Sequence, residues 1–146
     1  MDPKQYLTEW LERYLRNKDV FFRRILSMET KIGLISVKYK DKEQDYIVEP
    51  VVKKTEAAKD KAVTLVIINS KENLDFLIKN WDSFVKLGRN FSVFFVNPFS
   101  KTEKFWTIYP SVHDFITERP VLSLGLKTMF EQVEAITESE FEKVIK

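Results

Sequence analysis

The sequence predicts a mixed α/β fold, a central sheet of about five strands flanked by helices, with extra helices at the C-terminal end. Three observations carry this reading. The run Val63–Asn69, with Val63, Leu65, Val66, Ile67 and Ile68, has the continuous apolar pattern of a strand covered on both faces. Helical spacing surrounds it, at Leu7, Trp10, Leu11, Tyr14 and Leu15 before it and at Leu74, Leu77, Ile78, Trp81, Phe84, Val85 and Leu87 after it. Period-two and short apolar segments occupy the rest, and 146 residues suit one domain, 1–146, with a core of its own.

Taken in order, Asp2 and Pro3 give a helix start, an N-cap followed by a preset first turn, and the helix runs over 4–16. Asn17–Lys18–Asp19 reads as a break. Asp19 then caps a second helix carrying Val20, Phe21, Phe22, Ile25 and Leu26, with Arg23 and Arg24 on its exposed side. Gly33 opens a strand pattern, Leu34–Tyr39. The turn Asp41–Gln44 joins it to a partner strand Asp45–Val52, closed early by Pro50. Lys53–Ala62 is a polar connection carrying Lys53, Lys54, Lys59 and Lys61, which reads as a mobile loop. After Val63–Asn69, Ser70 caps one long helix ending at Gly88. Phe91–Val96 and Phe105–Tyr109 are strands joined through the turn Phe99–Lys104. Ser111, with Asp114 at the third position, caps a short helix, a further helix covers 124–136, and Thr137 with Glu140 forms a capping box for the last one.

Composition excludes several classes. Without cysteine there is no disulfide framework, thiolate metal site or cysteine nucleophile. No apolar run approaches the ~20 residues that span a bilayer, and the charged N-terminus is unlike a secretory signal, so a cytoplasmic protein without membrane contact is expected. Three glycines, no cysteine and 32% charged residues have the look of a thermophile protein. The net charge of +2 does not by itself argue for nucleic acid.

The chemistry is sparse. His113 is the only histidine and stands in no metal motif or triad, so no metal or cofactor is expected. With so few glycines there is no phosphate-cradling loop. The best carboxylate pair is Asp45 and Glu49, on one face of a strand but about 13 Å apart at ~3.3 Å per residue, too far to share one ion directly. Most of the aromatic residues fall on core-periodic positions; Tyr39, Tyr46 and Trp106 are the ones whose exposure would matter.

The order helix, hairpin, buried strand, helix, strand, strand resembles the PD-(D/E)XK, or restriction-endonuclease-like, fold, with the archaeal Holliday-junction resolvases as the nearest branch. The resemblance covers about residues 30–116. Asp45, heading Asp45–Tyr46–Ile47–Val48, matches the family's first acidic position. The helix at 4–16, with Glu9 and Glu12, corresponds to its acidic first helix. The stretch ending in Asn69–Ser70 falls where the family keeps Glu-x-Lys, but Ile67 stands in place of the metal-binding Glu and Asn69 in place of the Lys. Such nucleases need two carboxylates on a divalent ion and a Lys to assist, so the resemblance implies a catalytically inactive copy.

That implies a nuclease-like module binding DNA or supporting a DNA-processing complex. A basic face built from Arg23, Arg24, Lys38, Lys40, Lys42, Lys53, Lys54, Lys59 and Lys61 would grip phosphates. The alternative is a protein-interaction or homodimerisation module, docking through the hairpin edge or the acidic C-terminal helix. A third reading is a Mg²⁺-dependent nuclease using Asp45, Glu49 and Glu12 in an unusual arrangement.

Overall fold

A computed structural model describes residues 1–57 and 61–146. Helix α1 (Pro3–Phe22) starts as its sequence demands, with the Asp2 carboxylate accepting the Gln5 N–H at 2.8 Å. It does not break at Asn17–Asp19. It runs on to Phe22 and ends on Arg23 in the left-handed conformation (φ 49°). Asp19 therefore stops this helix and does not start another: its carboxylate accepts the backbone N–H groups of Arg24 (2.7 Å) and Ile25 (3.1 Å) as the chain turns out. The segment expected to continue a second helix is strand β1 (Ile25–Lys31), which turns Ile25 and Met28 to the core and shifts register between Ile25 and Ser27.

The remaining strands are β2 (Leu34–Tyr39), β3 (Glu43–Val48), β4 (Ala62–Ile68), β5 (Phe91–Val96) and β6 (Phe105–Ile108). The β2–β3 turn is tighter than expected, because Glu43 and Gln44 already pair with β2. Gly33 adopts φ +90°, a conformation other residues take only with strain, and its N–H donates to the Thr8 hydroxyl at 3.1 Å; a Cβ there would also displace the flexible end of the Lys4 side chain. All six strands form one mixed sheet in chain order. β1, β2 and β3 are an antiparallel meander, β3, β4 and β5 run parallel, and β6 returns antiparallel. The sixth strand beyond the expected five is β1.

Ser70 caps α2 (Lys71–Lys79), its hydroxyl accepting the Asn73 N–H at 3.1 Å. The one long helix expected here is two. It breaks at Asn80, whose amide donates back to the Phe76 carbonyl, and α3 (Trp81–Val85) follows before Gly88 turns the chain at φ +92°. In α4 (Pro110–Ile116) Ser111 lies inside the first turn and caps nothing; Tyr109 is the N-cap residue, without a side-chain bond. Asp114 instead accepts the Trp81 indole N–H (2.9 Å) and the Arg119 guanidinium (2.7 Å), tying α3 to α4 and to the start of α5 (Arg119–Glu131). Those two donors hold its carboxyl below the usual range. α5 begins five residues earlier than expected, while α6 (Glu138–Val144) carries the Thr137–Glu140 capping box as read.

The two faces of β4 explain why its sequence is apolar throughout. Val63, Leu65 and Ile67 pack with β5, β6, α2, α3 and α5, where Phe95 stacks on Trp106 at 4.3 Å. Val66 and Ile68 face the other way, under Leu7, Leu11 and Leu15 of α1 and Phe141 of α6. One position on this second face is not apolar: Thr64, buried in mid-strand. Among the described residues no helix is long and apolar enough to cross a membrane.

Candidate functional site

The positions singled out for catalysis do not converge. Alternation along β3 puts Tyr46 and Val48 under α1, so Asp45, Ile47 and Glu49 point to the opposite face. There Asp45 pairs with Lys61 at 2.8 Å, and Glu49 pairs with Lys4 at 2.9 Å at the sheet end. Glu12 lies on α1, across the sheet from Asp45, and faces Arg16 one turn on at 3.8 Å. Among the described residues no group of three or more His, Cys, Asp or Glu side chains could hold a metal ion. His113 is engaged locally, its Nδ1 lying 3.0 Å from the Tyr109 carbonyl oxygen.

Ile67 and Asn69 are core residues. Ile67 is 1% exposed and Asn69 is fully buried. The Asn69 Oδ1 accepts the Trp106 indole N–H at 2.7 Å, and its Nδ2 is directed at the carbonyls of Phe130, Val133 and Glu134. A residue that ties β4 to β6 and to the end of α5 has no free atom to offer a phosphate.

The basic residues divide into three groups. Lys38 and Lys61 border the open polar face of β1–β3, beside Glu29, Glu43 and Asp45. Lys53 and Lys54 line a separate hollow with Lys4 and Glu56. Lys59 lies outside the described residues. Arg23, Arg24, Lys40 and Lys42 gather where β1 begins and β2 turns into β3. There the Lys40 N–H donates to the Arg24 carbonyl and the Arg24 guanidinium pairs with Asp41, holding that carboxyl below its usual range.

Arg24 and Lys42 of this group border a cavity of about 360 Å³ on the α1 face of the sheet, while Arg23 lines a different hollow. Tyr14, Lys18 and Phe22 of α1 form one side, Tyr39, Lys42 and Tyr46 of the hairpin another, and Phe94 and Tyr109 the third. Beneath it a file of polar side chains crosses the sheet: the Gln44 amide donates to the Thr64 hydroxyl, which bonds the Ser92 hydroxyl at 2.8 Å. All three are buried in a face that is apolar elsewhere. The Tyr39 and Tyr46 hydroxyls meet at 3.0 Å; burial and that neighbour push the Tyr46 phenol far up, and burial raises Tyr14. The Tyr14 and Tyr46 phenols are therefore neutral at physiological pH.

The cations are set on the aromatic rings. The Lys18 ammonium lies 5.9 Å from the Tyr14 ring centre and the Lys42 ammonium 5.7 Å from that of Tyr39. Neither lysine makes an ion pair among the described residues, whereas Asp19, the acid at this rim, is spent on backbone N–H groups. A second, shallower hollow shares Tyr14 and Lys18 and adds Trp10, Arg13 and Lys104, with Trp10 stacked on Tyr14 at 5.4 Å. Aromatic faces and cations thus alternate from Lys104 to Arg24.

Tyr39 was the one exposure candidate to lie at this surface; Tyr46 forms the buried wall, and Trp106 is buried on the other side of the sheet. Tyr14, Lys18, Gln44, Thr64, Phe94 and Tyr109 were missed. The legible signal was the pair of single hydroxyl residues, Thr64 and Ser92, each interrupting an apolar strand. Comparison with family models, with curated proteins and with solved structures finds no match to this chain.

Proposed function

We propose that this chain is a nuclease-like module that binds nucleic acid and has no catalytic apparatus of its own. The alternation of exposed cations with aromatic rings over the two connected hollows is the observation that carries it. Phosphates bind Lys and Arg without regard to sequence, while bases stack on aromatic faces at roughly 1–3 kcal/mol each, so the combination suits unpaired strands. The order of α1, the β2–β3 hairpin, β4, a helix, β5 and β6 supports a restriction-endonuclease-like reading. Ile67 and Asn69, both buried, favour binding over cleavage. Four cations along the strip, Arg13, Lys18, Lys42 and Lys104, imply a log–log salt slope of about −3 for single strands.

The test is fluorescence anisotropy of an internally labelled oligonucleotide, single-stranded, duplex and four-way-junction, between low and high salt, with Mg²⁺ present to report cutting. Saturable, salt-sensitive binding without cleavage is expected. No anisotropy change at the lowest salt, or cleavage lost in Asp45→Ala, overturns the reading.

A second reading, a protein-interaction or dimerisation module, draws on Val112, Phe115 and Ile116 of α4 and Val121 and Leu124 of α5, all of which leave apolar surface exposed. Light scattering decides it: a monomer over the working concentration range removes self-association.

A further inference from the structure

The 360 Å³ cavity is more than a stretch of basic surface, because its walls, rim and floor each ask for a different chemistry. Its volume lies in the range of small-molecule sites, ~300–1,000 Å³. Rings of Tyr14, Tyr39, Tyr46 and Phe94 line it. The rim is cationic, with the Lys18 and Lys42 ammonium groups held against those same rings. The floor is Gln44 and Thr64, bonded to each other and through Thr64 to Ser92, and the paired Tyr39 and Tyr46 hydroxyls add groups that can both donate and accept. A bare anion would use only the rim. An aliphatic chain would use neither the cationic rim nor the remaining acceptor positions of the paired phenol hydroxyls.

We infer that this cavity holds one unpaired nucleotide, its base against the Tyr39 ring and its phosphate on Lys18 and Lys42. The inference rests on the nucleic-acid reading and deepens it, since it assigns one base to a defined pocket while the rest of the strand follows the Trp10–Lys104 side. The same chemistry, a flat polar-edged ring joined to a phosphate, is offered by a free nucleoside monophosphate or by a base extruded from a strand. Base and phosphate are adjacent in a nucleotide, as ring and ammonium are adjacent here. The Arg24 guanidinium, being paired to Asp41, adds little charge to the site.

The experiment compares four probes by calorimetry and competition against the full chain: deoxyadenosine monophosphate, ribose 5-phosphate, a 12-nucleotide oligothymidylate, and an abasic strand carrying the same phosphates. The expected result is at least 10-fold tighter binding of the oligothymidylate than of the abasic strand, and of the monophosphate than of ribose 5-phosphate. Tyr39→Ala should weaken the two base-bearing probes roughly 10-fold and leave the abasic strand unchanged. Lys42→Gln, at an exposed position, should weaken the oligothymidylate and the monophosphate while keeping the preference for a base.

Equal binding of oligothymidylate and abasic strand overturns the pocket and leaves phosphate-driven strand binding standing. Binding of the monophosphate with no strand binding keeps the pocket and assigns it a free nucleotide, overturning the nucleic-acid reading instead. No binding of any probe overturns both.

Discussion

The indole N–H of Trp106 donates to the side-chain oxygen of Asn69 at 2.7 Å, both residues lying in the interior. The Asn69 amide faces the carbonyls of Phe130, Val133 and Glu134, and its own carbonyl accepts the Ile136 N–H at 3.0 Å. One side chain at the end of the central strand thus anchors β6 and terminates α5. Asn69→Ala should cost on the order of 3 kcal/mol, since it leaves the Trp106 donor and several carbonyls buried without partners. Urea denaturation measures it; a loss under about 1 kcal/mol would show that the knot is dispensable.

Restoring the nuclease motif should fail. Ile67→Glu with Asn69→Lys puts two ionisable groups among Leu65, Val93, Phe95 and Trp106, where a charge has no water and no partner. The expected outcome is an unfolded or aggregated protein by circular dichroism, with no Mg²⁺-dependent cleavage. A folded double variant that cuts DNA would show that the strand can open to a metal.

Tyr46 makes stability fall in alkali. Burial, followed by the Tyr39 hydroxyl, raises its folded-state pKa. In the unfolded chain the phenol releases its proton near pH ~10, so above that the unfolded state binds fewer protons than the folded one. Stability due to this group is complete below pH ~10 and declines by up to about 1.4 kcal/mol per pH unit above it. Tyr46→Phe should show a shallower loss of stability between about pH 10 and 12 than the wild type, and one fewer phenol titrating only on unfolding. Parallel pH curves for the two proteins would refute the assignment.

Ser70→Ala tests the start of α2. Its hydroxyl is the acceptor for the buried Asn73 N–H, whose own side chain clasps the Pro50 and Ile68 carbonyls. A loss of about 1 kcal/mol is expected in thermal or urea unfolding, against a few tenths for Ser70→Gly.

The lysines should separate by location. Lys18→Gln with Lys42→Gln should weaken oligonucleotide binding and reduce the salt slope by about 1–2, one phosphate contact per cation lost. Lys53→Gln with Lys54→Gln, which border the other hollow, should leave both unchanged. The reverse pattern would move the binding surface to the loop.

Much of the fold was legible because its signals are local. The Asp2–Pro3 start, the Ser70 cap, the Thr137–Glu140 box and the apolar runs of β4 and β5 each depend on neighbours a few residues away, and each stands as read. The segment Val20–Leu26 was misread because a short apolar stretch fits either period. What decides it is the Asp19 carboxylate, which binds two N–H groups beyond the helix and releases Ile25 to pair with Tyr39.

The central strand shows the division most clearly. By itself the sequence determined that Val63–Asn69 is covered on both sides and carries no ionisable side chain. Only the tertiary structure decided that Asn69 is a knot between three elements, and that Thr64 is one link in a polar file under an aromatic cavity. The cavity draws on residues from Tyr14 to Tyr109, whose chemistry is set by neighbours brought together only when six strands align and α1 crosses them. Periodicity reports which way a side chain points; what it meets there is a property of the packed chain.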